Sequence, residues 1–209
     1  VLAGFTAPTR LSFVDDAEPR PGSIPAIDEG EVDFMLTVEE TQRLQGWARS
    51  HHLTLNTLVA GAWARVLQTF SGNSDVVFGV TVSGRPPSLA GSDEMIGLFI
   101  NTLPVRVGSG RGLALTDWLQ GVQQQQTELR DFEYSRLVDV QRWSDLPAGE
   151  PLFDTLLAFD NYPVDRTLGL SFGDVEVRDT RLVERTHYPM TLSVVPGEAM
   201  RMRSLYDPR

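Results

Sequence analysis

The sequence predicts an α/β fold, a mixed sheet flanked by helices. Three observations predict it. Segments with helical spacing interleave with apolar strands early in the chain, and strands run together late. Two runs, Val76 to Ser83 (VVFGVTVS) and Leu98 to Val107 (LFINTLPVRV), are rich in β-branched and aromatic residues without clean alternation. That pattern marks strands covered on both faces. Gly169, Gly173 and the pair Pro196-Gly197 then punctuate the strand-rich end.

In chain order, residues 1–10 are a short apolar start. Residues 11–30 (LSFVDDAEPRPGSIPAIDEG) carry three Pro, two Gly and excess acid, and read as an extended linker. Val32 to Leu36 is a short strand. Thr37 with Glu40 three positions on forms a capping box, so a helix is expected from Val38 to Ser50, burying Leu44, Trp47 and Ala48. Thr54 caps a second helix from Leu55 to Phe70. Its positions Leu55, Leu58, Val59, Ala62, Trp63, Val66, Leu67 and Phe70 repeat at helical spacing, and Gly72 stops it.

The two long strands follow, joined by a loop broken at Gly84, Pro86, Pro87, Gly91 and Gly97. Thr116 is expected to cap a helix from Asp117 to Arg130, with Gln123 to Gln126 as a solvated face. Ser135 is expected to cap a short helix reaching Trp143. Strands are expected at Phe153–Phe159, Leu170–Val177, Arg181–Glu184, Met190–Val195 and Met200–Leu205. There is no internal repeat.

Composition narrows the function classes. At 209 residues the chain is one domain or one large lobe. A net charge of −10 argues against nucleic acid, which needs clustered cations. All 18 basic residues are Arg, so a Schiff-base or P-loop lysine is excluded within the chain. The absence of cysteine excludes a disulfide framework, a thiol nucleophile and Cys-ligated zinc, and is compatible with the cytoplasm. No apolar run approaches the ~18 residues of a membrane span. The first residues lack the basic start and apolar core of a signal peptide. Val rather than Met at position 1 suggests a piece of a longer chain.

Ser83-Gly84-Arg85-Pro86, a glycine-led crossover, and then IGLFINTLPVRV (Ile96 to Val107) resemble the fourth and fifth motifs of the condensation domains of nonribosomal peptide synthetases. LAGF (Leu2 to Phe5), NTLVAGAWARVLQTFSG (Asn56 to Gly72), EPLFDTLLAFDNYP (Glu150 to Pro163) and YPMTLSVVPG (Tyr188 to Gly197) agree with that family. The resemblance covers nearly the whole chain, and what it covers is the second half of such a domain. It implies a chloramphenicol-acetyltransferase-like fold, with residues 1–209 as the C-terminal lobe, 11–30 as linker and 84–98 as a crossover toward the first lobe. Members of the family usually continue past YDPR into a final helix.

The candidate site residues follow from the same motifs. The family's catalytic signature is two histidines, three variable residues, then Asp-Gly. Here His51-His52 is followed by Leu-Thr-Leu, then Asn56 and Thr57, and the family places its histidines far upstream, in the other lobe. The pair is therefore read as a decoy, a polar turn between two helices, and no catalytic residue is assigned in this chain. Asn101 can donate and accept hydrogen bonds. The resemblance places it near the tunnel where two thioesters meet; the alternative is a buried Asn tying the strand to a neighbouring loop. Arg85 is expected to pair with an acid and fix the crossover, with Ser83 and Thr102 as supporting positions.

Arg106 reads as a surface or lobe-packing cation. Asp75, Asp93 and Glu94 have no spacing that demands a metal. Asp154 and Asp160 suit strand-end caps, and His187 a turn. Ser83 lacks a nucleophile-elbow pattern.

The resemblance implies an enzyme that joins acyl groups carried as thioesters on phosphopantetheine arms, with no cofactor bound by this lobe itself. Its Asn-Thr-Leu-Pro segment fits peptide-bond formation better than epimerisation, for which a Gly-Trp-Phe-Thr type is expected. Implied partners are the first lobe, peptidyl carrier domains and an adjacent adenylation domain, with no nucleic acid and no membrane. A bare lobe face would also favour self-association. Two other readings stay open: a standalone, non-catalytic module that docks carrier proteins, and a CoA-dependent acyltransferase of the same superfamily.

Overall fold

Thr37 opens the first helix as its spacing to Glu40 implies. The Glu40 amide donates to Thr37 Oγ1 at 3.2 Å, and the Thr37 amide donates to the Glu40 carboxylate at 2.8 Å. The structure, a computed structural model, describes residues 2–11, 30–85, 90–92, 94–147, 149–160, 171–172, 175–176 and 186–208. The expected strand at Arg181–Glu184 and most of the expected linker lie outside these residues.

Strand β1 (Gly30–Met35) leads into helix α1 (Val38–Ser50), and Thr54 caps α2 (Leu55–Ser71) through the Thr57 amide. Gly72 ends α2 at φ +72°, the left-handed conformation that glycine adopts at least cost. Strand β2 (Asp75–Val82) pairs antiparallel with β3 (Asn101–Gly108), with Val82 opposite Asn101 and Val77 opposite Arg106. Then come α3 (Leu115–Leu129), a 3₁₀ turn at Arg130–Phe132, α4 (Leu137–Arg142) and β4 (Thr155–Phe159). The chain closes with β5 (Ser171–Phe172), β6 (Val175–Glu176), β7 (Met190–Val195) and β8 (Arg201–Tyr206).

Six strands form one mixed sheet in the order β1-β8-β7-β4-β2-β3, while β5 and β6 pair separately. Its centre is parallel, β2 with β4 and β4 with β7; both flanks are antiparallel. Helices α1, α2 and α3 cover one face. Ala48, Trp63, Leu67, Trp118 and Leu119 pack there on Val76, Phe78, Leu103 and Val105. Successive strand residues point to opposite faces, so Val77 belongs to a second cluster, with Phe5, Leu146, Leu152 and Phe153. Leu137 and Val140 of α4 pack against that second cluster.

Several sequence expectations shift. Helix α3 starts before Thr116, because Ala114 occupies the cap position and its carbonyl already accepts from the Trp118 amide at 3.0 Å. Ser135 likewise does not cap α4; Arg136 does, without a side-chain bond. Leu44 is 37% exposed, since α1 turns only Thr41 and Ala48 fully inward. The later strand of the central pair begins at Asn101 rather than Leu98, because β2 ends at Val82 and leaves nothing for 98–100 to pair with.

The glutamine run is a solvated face only at Gln124; the other three are half-buried. Gln123 accepts from the Thr54 amide and donates to the His52 carbonyl, both at 2.8 Å. Gln126 accepts from Thr57 Oγ1, and Gln125 takes the Arg106 amide, a donor on the open side of edge strand β3. Unpaired edge donors of this kind otherwise invite a foreign strand.

Candidate functional site

The motif residues gather where β2 ends and β3 begins. The chain leaves α3 on one face of the sheet and enters α4 on the other, so the segment between them passes around edge strand β3. Asn101 grips that passing segment. Its Nδ2 donates to the Glu133 carbonyl at 2.8 Å and to the Ser135 carbonyl at 2.7 Å. Its Oδ1 accepts from the Thr102 amide at 2.9 Å. Two acceptors on one side and one donor on the other fix which amide atom is nitrogen. Both amide hydrogens are thus engaged within the chain, in the strand-to-loop tie that was one of the two sequence readings.

Glu133 returns the contact. Its carboxylate accepts from Ser83 Oγ at 3.3 Å and from the Gly84 amide at 3.2 Å. Sequence reasoning missed Glu133. No local signal marks it, because its partners lie about fifty residues upstream, at separations of 50 and 49.

Among the described residues, Arg85 braces the crossover through carbonyls. Its guanidinium donates to the Ser92 carbonyl and, at 2.9 Å, to the Met95 carbonyl. It also lies over the Phe99 ring, 4.2 Å from the centroid. A loop with several turn residues presents inward-facing carbonyls, and a planar five-donor fork satisfies them where a carboxylate could not. Beyond this brace, Ile96 is 104% exposed, Leu98 92% and Ile100 60%.

Thr102 faces the other side of the sheet. It shares a hydrogen bond with the Tyr188 phenol, whose pKa is raised by burial and partly lowered again by that bond. Tyr188 stacks on Phe153, 5.4 Å between centroids. His187, next to it, is exposed.

His51 and His52 sit in the turn between α1 and α2. His51 closes α1, donating from Nδ1 to the Trp47 carbonyl at 2.8 Å and stacking on the Trp47 ring. His52 adopts φ +57° and points to solvent. Neither lies in the Asn101–Glu133 network.

Arg106 is not a free surface cation. It makes a fork with Asp75, Nε to Oδ2 at 2.9 Å and Nη2 to Oδ2 at 2.6 Å. Its Nη1 donates to the Ala3 carbonyl at 2.7 Å, holding the N-terminal segment to the sheet. The Asp75 bond raises the Arg106 pKa further. Among the described residues no three His, Asp or Glu side chains gather as a metal site. No described helix is long and apolar enough to cross a membrane.

Asp160 follows β4, where its amide donates to the Val194 carbonyl. Burial raises its carboxyl pKa, opposed by a 3.3 Å bond from Ser193 Oγ. A folded-state pKa above the unfolded value means the native state holds its proton more tightly. The native state is therefore favoured on acidification and penalised as pH rises through the folded-state value. Asp160→Asn keeps an acceptor for Ser193 and removes the charge. We expect it to be at least as stable as the parent at pH ~7, with any gain shrinking toward pH ~4. Urea unfolding across that range checks this; a gain that grew on acidification would refute it.

A family model for the condensation domain matches residues 8–208. One of the linear gramicidin synthase subunits of Brevibacillus parabrevis is 42% identical over 206 residues, 99% of this chain and 3% of that protein. Chondramide synthase cmdD of Chondromyces crocatus is 42% identical over 211 residues, 99% of this chain and 5% of that protein. The chain thus spans only a few per cent of the length of these relatives. Among solved structures, a mutant starter condensation domain of rhizomide synthetase RzmA in complex with C8-CoA aligns with TM-score 0.66 and 26% identity. That alignment covers 86% of this chain and 40% of the other. The X-domain from teicoplanin biosynthesis shares the fold, with TM-score 0.74 and 22% identity over 99% of this chain and 47% of that one.

Proposed function

The chain belongs to the condensation-domain family, and from that premise we propose that it is the C-terminal lobe of a condensing unit of a nonribosomal peptide synthetase. The unit forms an amide between two carrier-bound thioesters. The acceptor's amine attacks the donor's thioester carbonyl, the carbon–sulfur bond breaks, and the donor carrier's thiol is released. The substrates arrive on phosphopantetheine arms of carrier domains, so those arms are cargo and not a resident cofactor. A histidine of the first lobe positions or deprotonates the amine. This lobe supplies a tunnel wall and, through residues 84–98, a bridge to the first lobe. An adenylation domain adjoins the unit, and its setting is the cytoplasm.

The observation that carries this reading is the crossover tip. Ile96, Leu98 and Ile100 stand in solvent on a loop braced by Arg85. Leaving such side chains wet forgoes roughly 1.5–3 kcal/mol each, which a partner surface recovers. A module evolved to stand alone is expected to cover that face, so the exposed tip favours a lobe over a standalone docking module. The spent amide hydrogens of Asn101 favour a supporting role for it, with Arg85, Ser83 and Thr102, and the catalytic centre lies in the other lobe.

The test is reconstitution. The purified chain with both carrier-bound thioesters should form no amide, and supplying the first lobe should restore turnover. Light scattering over a concentration series should show the chain self-associating, and Ile96→Ser with Leu98→Ser should weaken both self-association and reconstitution. Amide formation by the chain alone would sink the proposal, and so would a clean monomer indifferent to those substitutions.

A further inference from the structure

Both ends of the crossover are held by one residue. At the exit of β2, the Glu133 carboxylate takes the Ser83 hydroxyl and the Gly84 amide. At the entry of β3, the Glu133 main-chain carbonyl takes the Asn101 amide. We infer that Glu133 is a positioning residue for amide formation: it clamps the neck of the crossover, so that the tip at Ile96–Ile100 meets the first lobe in one register. This rests on the lobe reading above.

Among the described residues, the neck has few other side-chain supports. Among the described residues, the Glu133 carboxylate bonds to Ser83 and Gly84 and has no cationic partner. Anionic acceptors make the stronger hydrogen bonds, so a half-buried carboxylate is a suitable clamp. Arg85 braces the loop internally, to Ser92 and Met95. That brace does not tie the loop to the body of the domain. Glu133 does, from a connector that Asn101 itself pins at two carbonyls. Loosening Glu133 therefore frees the neck at Ser83 and Gly84, while the packed core beneath it stays intact.

The experiment uses the full-length parent enzyme carrying both lobes, with Glu133→Ala, Glu133→Gln and the control Arg142→Ala, whose side chain is 77% exposed. Glutamine keeps an acceptor oxygen for Gly84 and Ser83, whereas alanine keeps none. Misplacing a reacting group by about 1 Å can cost up to about a hundredfold, so we expect Glu133→Ala to lower kcat about tenfold with KM for the acceptor thioester nearly unchanged. Glu133→Gln should recover most of that loss, and Arg142→Ala should match the parent.

Limited proteolysis of the same proteins should cut the Glu133→Ala crossover faster at an unchanged melting temperature. A parental kcat in Glu133→Ala, or an equal loss in Glu133→Gln, overturns the positioning role. An unchanged rate of crossover cleavage overturns the clamp itself. If the parent enzyme makes no amide, the lobe reading fails, and the cleavage rates still judge the clamp.

Discussion

Replacing Gly84 with alanine is expected to open the neck of the crossover. Gly84 sits at φ +64°, where an L side chain is strained by roughly 1–2 kcal/mol. Strain is the smaller part. A Cβ at this position would overlap the carbonyl of Phe99, which is backbone and cannot swing aside like a side chain. Either Gly84 or Phe99 must move. Moving Gly84 takes its amide away from Glu133, and moving Phe99 takes its ring away from Arg85. We expect a total loss of about 2–4 kcal/mol, concentrated in the loop. Amide exchange should rise at Gly84 and Arg85 well above any change in the strands.

Gly91→Ala is the control. Gly91 shares a positive φ, +75°, but a Cβ added there would meet nothing within 4 Å among the described residues. It isolates the strain alone, worth about 1 kcal/mol. Equal losses for the two variants would mean that the contact with Phe99 carries no weight.

The same locality explains what could be read in advance. Thr37 with Glu40, and Thr54 ahead of an apolar stripe, are signals complete within a few residues, and α1 and α2 begin where they say. The β-branched runs placed β2 and β7 within a residue of their ends. The candidate site was only half legible. Motif resemblance singled out Ser83, Arg85, Asn101 and Thr102, but not Glu133, which joins two of them. Its role depends on the connector between α3 and α4 passing around the sheet edge, a consequence of packing on both faces. Asp75 and Arg106 illustrate the same limit. Nothing in the sequence pairs them, and Arg106 reads as a surface or lobe-packing cation, until the β2–β3 register sets Val77 opposite Arg106 and brings the two side chains together. The glutamines of α3 look solvated because polar residues usually are; Gln123, Gln125 and Gln126 instead meet groups of the α1–α2 turn, of strand β3 and of α2, far away in sequence.

Asn101→Asp should be the most revealing change in the site, because it alters charge and donor count while keeping shape. Asparagine meets the Glu133 and Ser135 carbonyls with two N–H groups. Aspartate would meet them with a carboxylate oxygen, setting negative charge against two acceptors. Each half-buried acceptor left unsatisfied costs about 1–3 kcal/mol, so Asn101→Ala should lose about 2 kcal/mol and Asn101→Asp more at neutral pH. The pH dependence separates them. Facing carbonyl oxygens raises the folded-state pKa of an aspartate at 101 above its unfolded value. Its native state then binds the proton more tightly, so stability is recovered at low pH and lost as pH rises through the folded-state value. Once protonated, the carboxyl donates to one of the two carbonyls. In urea unfolding, the deficit of Asn101→Asp should therefore narrow as pH falls from about 7 to about 4, while that of Asn101→Ala should track the parent. A deficit in Asn101→Asp that stayed constant with pH would mean its carboxylate had turned to solvent. In that case the two carbonyls are not what position 101 holds, and the tie around the sheet edge is made elsewhere.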